Sequence, residues 1–548
     1  MSVIFGFMIS GGALAHGSTG GTCPSGANYL NQSGQMVTLA NMGITSCFYV
    51  SKANGSDSNS GTSESSPWQH LPGTETTCTG NCASANPGPG QGYILRGGDT
   101  WPNSDLGIYW HPSWSGNATN PIYIGVDQSW YNSSVCGSGW CRPIFNCQGQ
   151  ICADVGNTGN MFFLAQWGSH VVVDNIEMTG LHTTTGQAFA YVKDYGSNNV
   201  YQQLYLHGWS HSSTSNGDWD NAYVYSSNSG SNSCLHDSII DGSDTTQDML
   251  VALFAVVPCA YRNWIGYTTN GMEAVGWNIH DNTFGPIMTP FSGITHQNHL
   301  FHFGPDAGQT AEFIYNNFIF VTNLGSASGG AVSLWLNGNE GSNATAYSFN
   351  NLIYDVGPGN ILNTSGHNSI EYGGYVIFNN TFECGTDSNP GGCDSGNAAS
   401  GPMGTYASAN NHYINNNGST PVYCYTTYNP CTITTNLIQS ISTANGQGYS
   451  SGSLYPFSPQ NANGGTVGAG TNQTSVCNTI AGLNAAAGAA CQNDTTLGVA
   501  ENTANHTVSS TRTPNPRPGS GAWDAGAYEF SAADPPPNPP TGLTAVVN

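Results

Sequence analysis

The chain has 548 residues and a formal net charge of −24, with seven Lys and Arg against 31 Asp and Glu. Such a field repels phosphate and excludes nucleic acid and anionic membrane as main partners. With 72 Gly and 7% charged residues the chain is poor in helix formers and rich in turn formers, while 13 Trp, 27 Tyr and 20 Phe exclude a disordered chain.

In chain order, "SVIFGFMISGGALA" within residues 1–15 reads as the remnant of a signal peptide: an apolar run ending in small residues. It lacks a basic start and is too short and Gly-rich to span a membrane. Cleavage after Ala15 would leave His16 first, and one terminal His is thin ground for a copper site. Residues 16–47 are predicted to cap the first turn of a repeated β structure, because an open end would expose a sheet edge. The 16 Cys are even in number and fall mostly into close neighbours: Cys78 with Cys82, Cys136 with Cys141, Cys147 with Cys152, Cys384 with Cys393, Cys424 with Cys431 and Cys477 with Cys491. Cys23 with Cys47 and Cys234 with Cys259 complete the set. Zinc is the rival, but no matched Cys-x2-Cys halves are present. Disulfides imply an oxidising compartment.

From residue 171 one motif recurs: "VVVDNIEM", "VYQQLYL", "CLHDSII", "NIHDNTF", "FIYNNFIF", "YSFNNLIY" and "YVIFNNTF". Two polar residues stand between apolar β-formers each time, the first of them at 174, 202, 237, 281, 316, 350 and 379. A constant motif at a varying step means one fixed strand per turn with loops of variable length, and so a solenoid. With almost no helical periodicity, the expected fold is an all-β parallel β-helix.

Three further stretches carry a family resemblance. "FYVSKANGSDSNSGTSESSPWQHL" (48–71), "GYILRGGDTW" (92–101) and "SGNATNPIYIGV" (115–126) resemble the opening turns of secreted right-handed parallel β-helix proteins of the pectin-lyase-like superfamily. "AWDAGAYEF" (522–530) resembles the closing segment of many bacterial members. The resemblance spans residues 48–530 and implies a secreted protein with that fold. It says little about activity, because the architecture carries lyases, hydrolases, epimerases and adhesins. Residues 531–548, "SAADPPPNPPTGLTAVVN", read as a stiff Pro-rich linker and the start of a truncated fibronectin type III-like module.

Equivalent residues of successive turns stack about 4.8 Å apart. The first polar column carries Asp174, Gln202, Asp237 and Asp281 and then only Asn, so Asp237 and Asp281 are expected as adjacent carboxylates if their 44-residue step is one turn. Such a pair suits a glycosidase, one member serving as acid. The structural alternative is a side-chain ladder in which Asp joins Asn. His236 and His280 should point away from their Asp neighbours, because strand side chains alternate. Loops of the middle turns supply Asp220 and Glu273 as replacement carboxylates. They also supply His211, His296 and His299 as sugar contacts, and Trp209, Trp219 and Trp277 as stacking platforms.

A hydrolase of a neutral polysaccharide needs two carboxylates and aromatic platforms, both plentiful over residues 200–300. A polyuronate lyase needs a base and a cation, and only Lys193 and Arg262 lie between residues 143 and 511. Calcium at Asp241, Asp244 and Asp248 would reverse that objection; otherwise no cofactor is required. A glycan-binding adhesin or surface fibre is the third class. The expected reading is a secreted, polysaccharide-active protein, a hydrolase before a lyase, and its oligomeric state is not legible.

Overall fold

The computed structural model describes residues 19–31, 34–74, 77–111, 113–152, 161–164, 168–183, 190–211, 222–226, 232–244, 251–255, 259–268, 270–274, 278–286, 297–302, 310–320, 331–336, 345–354, 360–363, 372–383, 403–416, 418, 422 and 430–531. The remnant before residue 19 and the linker after residue 531 lie outside them.

The chain winds as a right-handed parallel β-helix. Three parallel sheets run its length among the described residues. The first has thirteen strands, from Ser46–Val50 to Cys431–Thr434; the second runs from Thr100–Pro102 to Leu437–Ser440; the third has nine, from Ile108–Trp110 to Asn360–Asn363. One turn passes through Val171–Asp174 in the first sheet, Glu177–Thr183 in the second and Ala190–Asp194 in the third, then returns to the first at Val200–Gln202. Period-two alternation points one set of side chains inward. Leu235, Ala260, Ile279 and Ile314 of the first sheet, Ile240, Ile265, Phe284 and Ile319 of the second, and Val192, Val224, Met272 and Leu300 of the third fill the core.

The sharp corner between the first and second sheets explains the repeated polar pair. The corner residue, the second of the pair in the turns at 174 and 202 and the first from Asp237 on, takes a left-handed conformation: Asn175, Gln203, Asp237, Arg262, Asp281, Asn316, Asn350, Asn379, Asn410 and Thr435 all have φ between 50° and 57°. Asn and Asp tolerate that region best among residues with a Cβ. From Asn263 to Asn411, the residue after the corner is a buried Asn and forms the ladder. Asn282 donates to Asn317, Asn317 to Asn351, Asn351 to Asn380 and Asn380 to Asn411, each at 2.9 to 3.0 Å. Each Oδ1 also accepts the main-chain N–H of the rung before, as Asn351 does from Asn317 at 3.0 Å.

Four expectations differ from the structure. The 44-residue step is two turns, because strand Cys259–Tyr261 pairs with both Cys234–His236 and Asn278–His280. Asp174 and Gln202 align with His236, one position ahead of the corner column. Residues 19–31 and 34–45 lie along the outer face of the first sheet, where Tyr29 and Leu39 pack on Tyr49, Ile94, Tyr123 and Val172. Finally, the turns end at Ser440, and residues 441–531 fold back as a strap that packs on the outer face of the first sheet through Cys477, Ile480 and Trp523 and on that of the second through Tyr449, Phe457 and Tyr528.

Six disulfides are formed as their spacing predicts: Cys23–Cys47, Cys78–Cys82, Cys136–Cys141, Cys147–Cys152, Cys234–Cys259 and Cys477–Cys491. Cys431 is also disulfide-bonded, while Cys384, Cys393 and Cys424 lie outside the described residues. No helix among the described residues is long and apolar enough to cross a membrane.

Candidate functional site

Asp237 and Asp281 stand two rungs apart, about 10 Å by the strand spacing, with Arg262 on the rung between them. The Asp237 carboxylate accepts from Arg262 Nε at 2.8 Å and meets His236 Nδ1 at 2.9 Å. Arg262 in turn donates to Ser510 of the strap at 2.7 Å. Asp281 meets His280 Nδ1 at 2.5 Å, accepts from Asn316 Nδ2 at 3.1 Å, and accepts from Thr496 Oγ1 of the strap. Burial would raise both carboxyls, but the His partner, helped by Arg262 at Asp237 and by Thr496 at Asp281, holds each below the ordinary carboxylate range. The two acids therefore fasten the strap and do not face each other as a pair.

The His–Asp contacts correct the alternation argument. Alternation holds only while the chain is extended, and the left-handed corner at each Asp swings its carboxylate back to the His before it. The His rings join a stack along the covered corner. His236, Tyr261, His280, Tyr315, Phe349 and Phe378 follow one another with centroids 4.5 to 5.2 Å apart and near-parallel planes.

The third sheet assembles a different set. Its strands place Tyr109, Phe163, Lys193, Tyr225, Phe254, Glu273, Phe301, Trp335 and Asn363 in one register column. The next column is apolar throughout, with Phe162, Val192, Val224, Met272 and Leu300 all buried in the core. Glu273 is the sole carboxylate position of the aromatic column. Asp220 is two residues ahead of strand Ala222–Ser226 of this sheet, Asp248 three ahead of Val251–Ala255, and His296 directly ahead of Gln297–His302, which contains His299. Sheet order thus brings strands leading from four predicted residues beside one another. Asp220, Trp219, Asp248, Trp277 and His296 lie outside the described residues. His211 ends strand Ser210–His211, which pairs with the second sheet. Trp209 is fully buried in the core, so it offers no platform to a sugar.

A third group lies on the outer side of the second sheet. His207 sits between two carboxylates, its Nδ1 2.5 Å from Asp244 and its Nε2 3.2 Å from Glu177. Burial opposes its charge, but Asp244 and Glu177 outweigh it and push the imidazole up to about 9. Tyr205 is sandwiched between His207 and His506 of the strap, at centroid distances of 4.1 and 3.8 Å. His506 contacts Glu501 at 3.1 Å; burial and the charge of Asp241 raise the Glu501 carboxyl. Asp244 is thus turned to His207 and to the Gly208 N–H at 2.7 Å. Among the described residues no three ligating side chains gather to hold a metal ion; Asp248, the third member of the expected calcium cluster with Asp241 and Asp244, lies outside them. Neither this imidazole–carboxylate cluster nor the third-sheet column is visible in the sequence, since strands such as "NGMEA" lack the corner pair that marks the first sheet.

No protein-family model matches the chain, and no curated protein matches it in sequence. Among solved structures it is similar to GH136 lacto-N-biosidase from Eubacterium ramulus, with 12% identity over 72% of this chain and 68% of that one and a TM-score of 0.41. It is also similar to pectate lyase Pel9A, with 16% identity over 89% of this chain and 98% of that one and a TM-score of 0.37. A rhamnogalacturonan lyase is similar at 15% identity over 71% of this chain and 87% of that one, with a TM-score of 0.31.

Proposed function

We propose that this is a secreted glycan-cleaving enzyme that works at the third sheet, with Glu273 as general acid or base and Asp220 as the partner carboxylate. The observation that carries the reading is the register column, in which one carboxylate position stands among aromatic positions on the rungs before and after it: Tyr225, Phe254, Phe301 and Trp335. Aromatic faces take up the C–H faces of sugars, and two carboxylates supply the acid and base of glycoside hydrolysis. The disulfides fit an oxidising exterior.

Hydrolysis is preferred to elimination because of where the cations are. Arg262 is engaged by Asp237 and the strap, and Lys193 is three rungs from Glu273, about 14 Å along the axis. Neither stands at Glu273 to neutralise a uronate carboxylate. Glu273→Gln should lower release of reducing ends from a panel of neutral polysaccharides by at least about a hundredfold, the scale of a lost general acid. Full activity in that variant, or unsaturated products from the wild type, would overturn the hydrolase reading. Glycan binding with no product from any substrate would leave an adhesin.

A further inference from the structure

The outer side of the second sheet carries a strip of rings that the proposed chemistry does not use. Ile240, Ile265, Phe284, Ile319 and Ile353 point into the core, so the residues alternating with them face outward. On four consecutive rungs those outward positions include Gly266, Gly285, Phe320 and Tyr354. Trp264 lies over the two glycines: a Cβ at Gly266 would come within 2.6 Å of its ring, and one at Gly285 within 3.5 Å of it and 3.4 Å of Phe320. Any side chain at Gly266 would lift the indole off the sheet. The indole is therefore bedded on bare backbone, with Phe320 beside it; Phe320 stacks on Tyr354 at 6.3 Å, and Tyr354 closes that end of the strip by packing against Phe457 of the strap at 5.4 Å. Tyr267, 6.2 Å from Trp264, is 38% exposed and is one of few large apolar side chains so open among the described residues.

We infer that this strip is a second, non-catalytic binding surface for an extended, uncharged polysaccharide lying along the helix axis. From Trp264 to Phe320 it covers two rungs, about 10 Å, a length of about two linked sugars. The Trp264 indole over the two glycines and the exposed Tyr267 ring beside it offer faces to the C–H faces of successive sugars. At one end the strip meets Asp241, the rung partner of Gly266, whose carboxylate is an acceptor for sugar hydroxyls. The charge argues against an acidic ligand: Glu177, Asp241 and Asp244 outnumber the one imidazole between them and repel a polyanion. This reading takes only the ligand class from the proposed function, since the strip is on a different sheet from Glu273.

The test is affinity electrophoresis of the Glu273→Gln protein in gels containing xyloglucan, galactomannan or starch, with pectate and chitosan as charged controls. Retardation by at least one neutral polymer is expected, weakened about tenfold by Trp264→Ala or Phe320→Ala and less by Tyr267→Ala. A further Trp264→Ala variant in the otherwise native protein should turn over short oligosaccharides at the wild-type rate while losing ground on long polymer. Thermal melting identifies any variant that has lost the fold; Tyr267→Ala, at an exposed ring, keeps the question open to decision in that case. Unchanged retardation in all three variants, or retardation by pectate or chitosan alone, would overturn the inference. Because binding is read without turnover, a failure of Glu273 as the catalytic group leaves this result legible by itself.

Discussion

At Asp281 one carboxylate ties three parts of the chain together: His280 before it, Asn316 on the next rung and Thr496 of the strap. Its pKa is held below the ordinary 3.8, so the stability it contributes is complete above that value and is lost as pH falls through its lower folded value. Asp281→Asn should lower unfolding stability at neutral pH by about 1–3 kcal/mol, the range for bonds to a charged group. Denaturant titration at pH 7 and again near pH 2.5 should show the difference shrinking in acid. His207 behaves in the opposite sense. Its folded pKa is raised to about 9 from 6.5, so its contribution is complete below 6.5 and is lost as pH rises through about 9. The imidazole resonances should titrate near the upper value, and His207→Gln should be most destabilising near pH 6; a midpoint near 6.5 would mean that the two carboxylates do not hold it.

The asparagine ladder and the strap are the elements on which the turns depend. Asn351 donates to Ile314 O, Ser348 Oγ and Asn380 Oδ1, and it accepts both the main-chain and side-chain N–H of Asn317. Asn351→Ala leaves several buried polar groups unpaired, each worth about 1–3 kcal/mol, and should lower stability by more than any single surface change. The strap hairpin, Val499–Asn502 with Thr507–Ser510, is fastened at its tip by Arg142. That guanidinium donates to Asn505 O at 2.7 Å and His506 O at 2.8 Å. Arg142→Ala should speed hydrogen exchange across residues 499–510 while the rungs at 278–320 stay protected. Uniform protection would show that the Tyr205–His506 stack and the Arg262–Ser510 bond hold the hairpin unaided.

On the scale of the molecule, the first-sheet repeat and the disulfide pairing were legible in the sequence because each depends on local chemistry. A left-handed corner calls for Asn or Asp followed by a buried Asn, and close cysteines have short loops to close. The turn at Cys259–Tyr261 escaped because Arg262 occupies its corner, hiding "YRNWIG" from a search for paired amides and acids; only Asn263 kept the pattern. That omission made Asp237 and Asp281 look adjacent. The amino-acid sequence by itself determined the β-helix, the acidic field and the pairing of close cysteines, since periodicity, charge and cysteine spacing are properties of the chain before it folds. Only the tertiary structure decided which residues meet. Rung register across loops of unequal length aligned Glu273 with aromatic positions from other turns, and the returning strap claimed Asp237 and Asp281 for itself. Both outcomes depend on contacts between residues far apart in the chain, which no local pattern encodes.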